Sequence, residues 1–325
     1  MSTPSVREAI EANDLDGLVR LVDGFAAGRE WDAIIDLRHR CREAVERGKQ
    51  LWGVAHYANY RLALDAPPPI AGPVIGEPRG QLLPGPLTEV LGSRFDWATL
   101  APHLPDGPEA AVVAQERVIR GEDLRTSDVD GTVLDLPLHT LPWERFPPVE
   151  YRPDGGTFDP PDEPSMVEVA IEFDGEPIPG DEGAEALFEL GREWLTRSNG
   201  RVEVSCINGT AEQAIASLGP HRVLVAELQL TDAVEWMAWL GASGGAYGSR
   251  RGGAAGRSLA WWALAALTGL DEEWPVAPEE LGAAASELRW ALWSDLAPST
   301  GWTCHLAVED HLDGLAWALT AVDGA

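Results

Sequence analysis

The stretch Leu240-Gly-Ala-Ser-Gly-Gly-Ala-Tyr-Gly-Ser-Arg-Arg-Gly-Gly-Ala-Ala-Gly-Arg-Ser-Leu-Ala-Trp-Trp262 restricts the fold more than any other part of the chain. Each glycine inside a helix costs about 1 kcal/mol relative to alanine, so several within three turns cost about 4–5 kcal/mol. One continuous helix with a small-residue face (Gly241, Gly245, Gly248, Gly252 and Ala255) would carry that whole penalty. The spacing therefore predicts a loop from about Gly244 to Gly252, held between an apolar helix with Trp236 and Trp239 and a second with Trp261 and Trp262.

The stretch also differs in charge. The chain carries 53 acids against 24 bases, a net charge of −29, whereas residues 241–270 contain Arg250, Arg251 and Arg257 and no acid. An acidic surface repels phosphate backbones, which argues against direct nucleic-acid binding, and it also maintains solubility. Backbone N–H groups at a helix N-terminus bind phosphate, and nearby arginines add charge. Arg250, Arg251, Gly253 and Arg257 are therefore the candidate ligand-binding residues, for an anionic small molecule of the nucleotide or CoA type. Arg250-x-x-Gly253-x-Ala255 resembles the pyrophosphate cradle of acyl-CoA-dependent N-acetyltransferases. In that fold a hydrophobic strand runs directly into the motif, and here a glycine-rich segment precedes it. The competing structural reading is a loop whose arginines pair with the protein's own carboxylates.

A chain of 325 residues with 45% hydrophobic content can fill more than one core, and its 14 tryptophans oppose disorder. Cys41, Cys206 and Cys304 are odd in number and widely separated, which points to a reducing compartment rather than to disulfides or zinc. With no apolar leader and no run of about 18 apolar residues, a cytoplasmic protein without a membrane segment is expected.

The expected architecture is a helical-hairpin module over residues 1–66, a proline-rich connecting region with short helices over 67–164, and an α/β domain over 165–325 that holds loop 241–257. Ser5 and Glu8 have capping-box spacing, and Ile34, Cys41 and Val45 share a helical face. The basic run Arg38, Arg40, Arg42, Arg47 and Lys49 lies where cations meet the negative end of a helix dipole. The proline-rich run 136–164 reads as an arm laid over the surface. Beyond it, residues 167–173, 202–207, 222–228 and 302–308 read as strands, giving a small mixed sheet of about four, with 202–228 as a right-handed βαβ unit. Residues 184–197, 210–218, 231–240, 259–267, 279–296 and 312–321 read as helices.

No catalytic or metal constellation survives its context. Asp128-Val-Asp130-Gly-Thr132-Val133 resembles the nucleophile motif of haloacid-dehalogenase-type phosphatases, but the residues before it are polar rather than strand-like. That family also supplies a downstream lysine, whereas the single lysine, Lys49, lies upstream. Cys304 and His305 are adjacent on an expected strand and so point to opposite faces. The histidines show no metal-ligand spacing, and no cofactor is implied.

Residues 31–38 with 48–52, residues 242–262, and the ending Leu306-Ala-Val-Glu-Asp…Gly314-Leu-Ala-Trp-Ala-Leu319 resemble an uncharacterised actinobacterial protein family of unknown function, a resemblance that brings no activity and no site residues. The functional expectation is a cytoplasmic, non-enzymatic adaptor or scaffold that binds a protein partner. The alternatives are a protein or enzyme that binds a phosphorylated small molecule through the Gly/Arg-rich loop, and an acidic DNA mimic that occupies a basic partner.

Overall fold

The computed structural model describes residues 5–77, 83–146, 148–296 and 301–324. They form two compact units, one of Met1–Val133 with Val149–Thr157 and one of Leu134–Pro148 with Phe158–Ala325.

The first unit begins as the apolar periodicity requires, with helices α1 (Val6–Ala12), α2 (Leu15–Gly28), α3 (Trp31–Glu46) and α4 (Trp52–Asp65). Ser5 caps α1 through the full box: its hydroxyl accepts the Glu8 N–H, and the Glu8 carboxylate accepts the Ser5 N–H. α2 buries Leu18, Val22 and Ala26, and α3 buries Ile34, Leu37, Cys41 and Ala44. α4 is buried on most of its circumference and packs against both, which suits its alanine-rich, weakly amphipathic sequence. The shorter helices α5 (Pro68–Ala71), α6 (Leu87–Arg94), α7 (Trp97–Leu100) and α8 (Pro108–Ile119) follow, with an antiparallel hairpin of β1 (Glu150–Arg152) and β2 (Gly155–Thr157).

The basic run of α3 is placed differently from a set of dipole cations. Arg38 turns inward, donates to the Asn59 side chain at 2.9 Å and faces Glu77; Arg42 also pairs with Glu77. Arg40 pairs with Asp36, and Lys49 reaches Glu11. Specific carboxylates, rather than the end of the helix, set these side chains.

The second unit contains β3 (Val167–Ala170), α9 (Glu182–Arg197), β4 (Arg201–Asn208), α10 (Ala211–Ser217), β5 (Arg222–Leu228), α11 (Leu230–Ala242), α12 (Gly253–Leu267), α13 (Pro278–Glu287), β6 (Arg289–Asp295), β7 (Trp302–Asp310) and β8 (Leu315–Asp323). One six-stranded sheet runs β3-β5-β6-β7-β8-β4, every neighbouring pair antiparallel. The expected mixed sheet of about four strands is thus a larger, antiparallel one. β4, α10 and β5 follow one another as expected, but three strands separate β4 from β5, so no adjacent βαβ pair forms.

Two segments expected to be helical are strands. The helix expected over 279–296 stops at Glu287 and continues as β6, and the one expected over 312–321 is β8. Both strands pair on each side and are covered on each face, so their apolar residues run without the alternation of a half-exposed strand. Trp290 and Trp293, three apart, resemble a helical face; on β6 they enter opposite cores. Trp290 joins the core beneath α9, α11, α12 and α13, while Trp293 joins the smaller core beneath α10.

Part of the proline-rich run lies inside this unit rather than over its surface. Leu136 and Leu141 are buried in the larger core, and the Trp143 ring packs at a tilt against Trp261 of α12, 4.9 Å between centroids.

Candidate functional site

The Gly/Arg-rich stretch folds as its glycines demand: α11 ends at Ala242, residues 243–252 form a loop, and α12 starts at Gly253. The Arg251 N–H closes the base of the loop on the Ala242 carbonyl at 2.7 Å. Beyond the loop the two helices pack closely, and a Cβ on Gly256 would stand 2.2 Å from the Ala238 carbonyl oxygen. The small residues therefore serve helix contact on α12 and chain reversal in the loop.

The four candidate residues separate into distinct environments. Arg257 lies on α12 and is fully buried, as is the Glu144 carboxylate that it meets. Its Nε and Nη2 donate to the two Glu144 oxygens at 2.7 and 2.8 Å, a bidentate pair. Further donors go to the Pro137 and His139 carbonyls. Glu144 in turn accepts the Trp261 indole N–H at 2.6 Å and the Leu141 N–H at 2.8 Å. Arg257 thus ties the inserted segment 134–148 to α12 and does not face the loop's exterior.

Arg250 lies over the Phe158 ring, 5.1 Å from its centroid. Arg251 is half-buried and makes no ion pair among the described residues. Burial lowers its guanidinium from the ordinary arginine value, opposed chiefly by the Glu193 and Glu189 carboxylates of α9. Gly253 opens α12.

The head of the loop is organised by a residue from the far end of the sheet. Asp323, the last residue of β8, is fully buried. Its Oδ2 accepts the Ala246 N–H and, at 2.6 Å, the Ser198 hydroxyl. The Ser198 oxygen then accepts the Tyr247 N–H at 3.0 Å. Gly245, at φ +82°, lets the chain turn over this carboxylate; a Cβ there would stand 2.4 Å from Asp323 Oδ2. The Ala246 and Tyr247 amides at the head of the loop are therefore taken by Asp323 and Ser198.

Tyr247 follows these amides and is 60% exposed. Beneath the loop lie packed indoles: Trp194 meets Trp239 edge-on at 5.7 Å and donates to the Ser243 hydroxyl at 2.8 Å, and Trp239 meets Trp302 at a tilt, 5.5 Å between centroids. The loop is a short, braced platform that presents one aromatic ring.

Other chemistry-bearing residues are spent structurally. Asp128 and Asp130 follow a turn rather than a strand, and Asp130 accepts the Thr132 N–H and hydroxyl. Burial raises Cys41 to about 11 and Cys206 to about 12, and raises Cys304 as well, so none is a thiolate near neutrality. Among the described residues no group of three or more His, Cys, Asp or Glu could hold a metal.

Cys304 and His305 point to opposite cores, as strand alternation requires, and the His305 ring lies 4.5 Å from Trp293. Burial pulls His305 from 6.5 down to about 4, partly opposed by Asp295. The unfolded chain protonates this imidazole near pH 6.5 and the folded protein near pH 4, so the stability held by the neutral ring is complete above 6.5 and is lost as pH falls towards 4. Between pH 7 and pH 4, wild type should lose about 3 kcal/mol more than His305→Gln, read from denaturant unfolding at each pH. Parallel curves for the two proteins would contradict this.

One buried polar group had little signal in the sequence. Glu89 of α6 and Glu116 of α8 are 2% and 1% exposed, the Tyr151 hydroxyl donates to Glu89 at 2.6 Å, and Arg120 donates to the Val149 carbonyl. The only hint was an acid set among apolar residues on each short helix.

A family model described as "Family of unknown function (DUF6183)" matches residues 16–312, and the chain belongs to this family. No curated protein and no solved structure matches it.

Proposed function

We propose that this member of the family is a cytoplasmic, non-enzymatic interaction protein, an adaptor or scaffold that binds a protein partner through the face built around Tyr247. The observation that carries the reading is the 60% exposure of Tyr247 on a loop whose neighbouring groups are tied to Asp323, Ser198 and the base of the loop. A rigid aromatic side chain offers large contact area at small entropic cost, which is the usual character of an interface hot spot. Among the described residues no helix is long and apolar enough to cross a membrane. The test is a photo-cross-linking residue at position 247 in native-host cells, with position 312, 85% exposed, as the control. One dominant adduct from 247 that is absent from 312 is expected. Adducts of equal pattern from both sites, or none from 247, overturn the reading.

A second reading, a protein or enzyme that binds a phosphorylated small molecule, is favoured by Arg251, half-buried beside Arg250 and Gly253 with no ion pair among the described residues. It requires a nucleotide or CoA-like ligand to stabilise the fold by about 2.7 kcal/mol at a hundred times Kd. The stabilisation should vanish in Arg250→Ala/Arg251→Ala. Unchanged thermal unfolding across such a ligand panel removes this reading.

A further inference from the structure

β4 ends the sheet: it pairs with β8 on one side, no strand pairs with its other side among the described residues, and α9 packs on its face through Val202. Its ladder to β8 continues through the Gly209 N–H to the Gly314 carbonyl, so odd-numbered residues bond inward and even-numbered residues turn their N–H and C=O outward. The Cys206 carbonyl confirms the phase by accepting the Ile178 N–H at 2.7 Å. Among the described residues, the outward N–H and C=O of Val202 and Val204 have no partner. Pro177 and Pro179 flank Ile178, and because proline has no N–H the chain's own pairing with β4 goes no further.

A groove of about 660 Å³ runs along this open edge. Its apolar wall is made by Ile178, Phe188 and Val204. Around it stand four carboxylates, Asp181, Glu185, Glu189 and Glu203, against one guanidinium, Arg192. Arg192 is paired with Glu189, Arg201 is paired with Glu203, and Asp181 is engaged by the Ala184 N–H and the Trp317 indole, which leaves Glu185 with no ion pair among the described residues. The remaining field of the groove is negative, as is the chain as a whole at −29.

We propose that this groove binds an extended, basic peptide segment of a partner protein by strand addition to β4. Backbone groups of the segment meet those of Val202 and Val204 and extend the sheet to a seventh strand. Because side chains alternate, one set faces the α9 side, with Phe188 and Val204 at the wall and Glu185 and Glu189 at the rim, and the other faces the side of Glu203. The proposal rests on the interaction reading and gives it a second site, separate from Tyr247.

The test uses the full chain and fluorescence anisotropy with a labelled (Val-Lys)4 octapeptide. At moderate salt it should bind at least tenfold more tightly than (Val-Glu)4. N-methylation of alternate residues, made in both phases, should weaken binding at least tenfold in one phase. Val204→Pro removes one outward donor at an edge position and should abolish binding. Glu185→Lys/Glu189→Lys, which leaves the backbone intact, should lower affinity at least tenfold if Val204→Pro fails to fold. Tyr247→Ala should bind as wild type does. Equal binding of both octapeptides, indifference to N-methylation in both phases, or no binding of (Val-Lys)4 overturns strand addition. A dimer that Val204→Pro dissociates also overturns it, because the edge is then taken by a second copy. Adducts from position 247 that persist when the groove is inert show that only strand addition has failed. A groove that binds while position 247 yields no adduct shows that the Tyr247 face is what has failed.

Discussion

Glu144→Gln lowers the unfolding free energy by about 3–5 kcal/mol, because it leaves the Arg257 guanidinium buried without its counter-charge. Both side chains are fully buried and bonded through two parallel contacts, and the same carboxylate also holds the Trp261 indole and the Leu141 amide. Arg257→Met should cost a similar amount by leaving the carboxylate unpaired. The double variant Glu144→Leu/Arg257→Met removes both charges and should recover most of the loss, since an apolar pair in such a place is often neutral or stabilising. Urea unfolding of the three variants measures this directly. Additive losses in the double variant would show that the pair is not coupled.

Trp194→Ala should cost about 3–5 kcal/mol, the range for removing a large aromatic from a closed core. Trp194 is fully buried on α9, edge-on to Trp239, and its indole N–H is bonded to Ser243 where the loop leaves α11. Trp194→Phe keeps much of the volume and loses the hydrogen bond, and should cost clearly less. Equal losses in the two variants would assign the effect to the Ser243 bond instead of to packing.

Much of the architecture was legible because local rules and tertiary context agreed. The capping box at Ser5 marks a true helix start, and the glycine cost in 244–252 places a loop where one stands. β6 and β8 were illegible for the opposite reason: covered on both faces, Trp290-Ala-Leu-Trp293 and Ala316-Trp-Ala-Leu319 lose the period that marks a strand and resemble helical runs. The error carried into the site. Reading 312–321 as a helix removed any reason to place Asp323 beside Gly245. Glu144, 113 residues before Arg257, lay in a segment read as a surface arm. Of the three arginines, Arg257 meets an internal carboxylate; that the carboxylate is Glu144 is a property of the folded chain. Likewise, the open edge of β4 exists only because three strands intervene between it and β5.

The central claim is that Asp323 holds the loop in a fixed shape that presents Tyr247. Amide hydrogen exchange tests it most directly, comparing wild type with Asp323→Ala at Ala246 and Tyr247, with the buried strand β7 as an internal reference for global stability. Slow exchange at both amides in wild type, accelerated in the variant by more than the change in β7, is the predicted result. Rapid exchange of these amides in wild type, or acceleration no greater than that of β7, would contradict it.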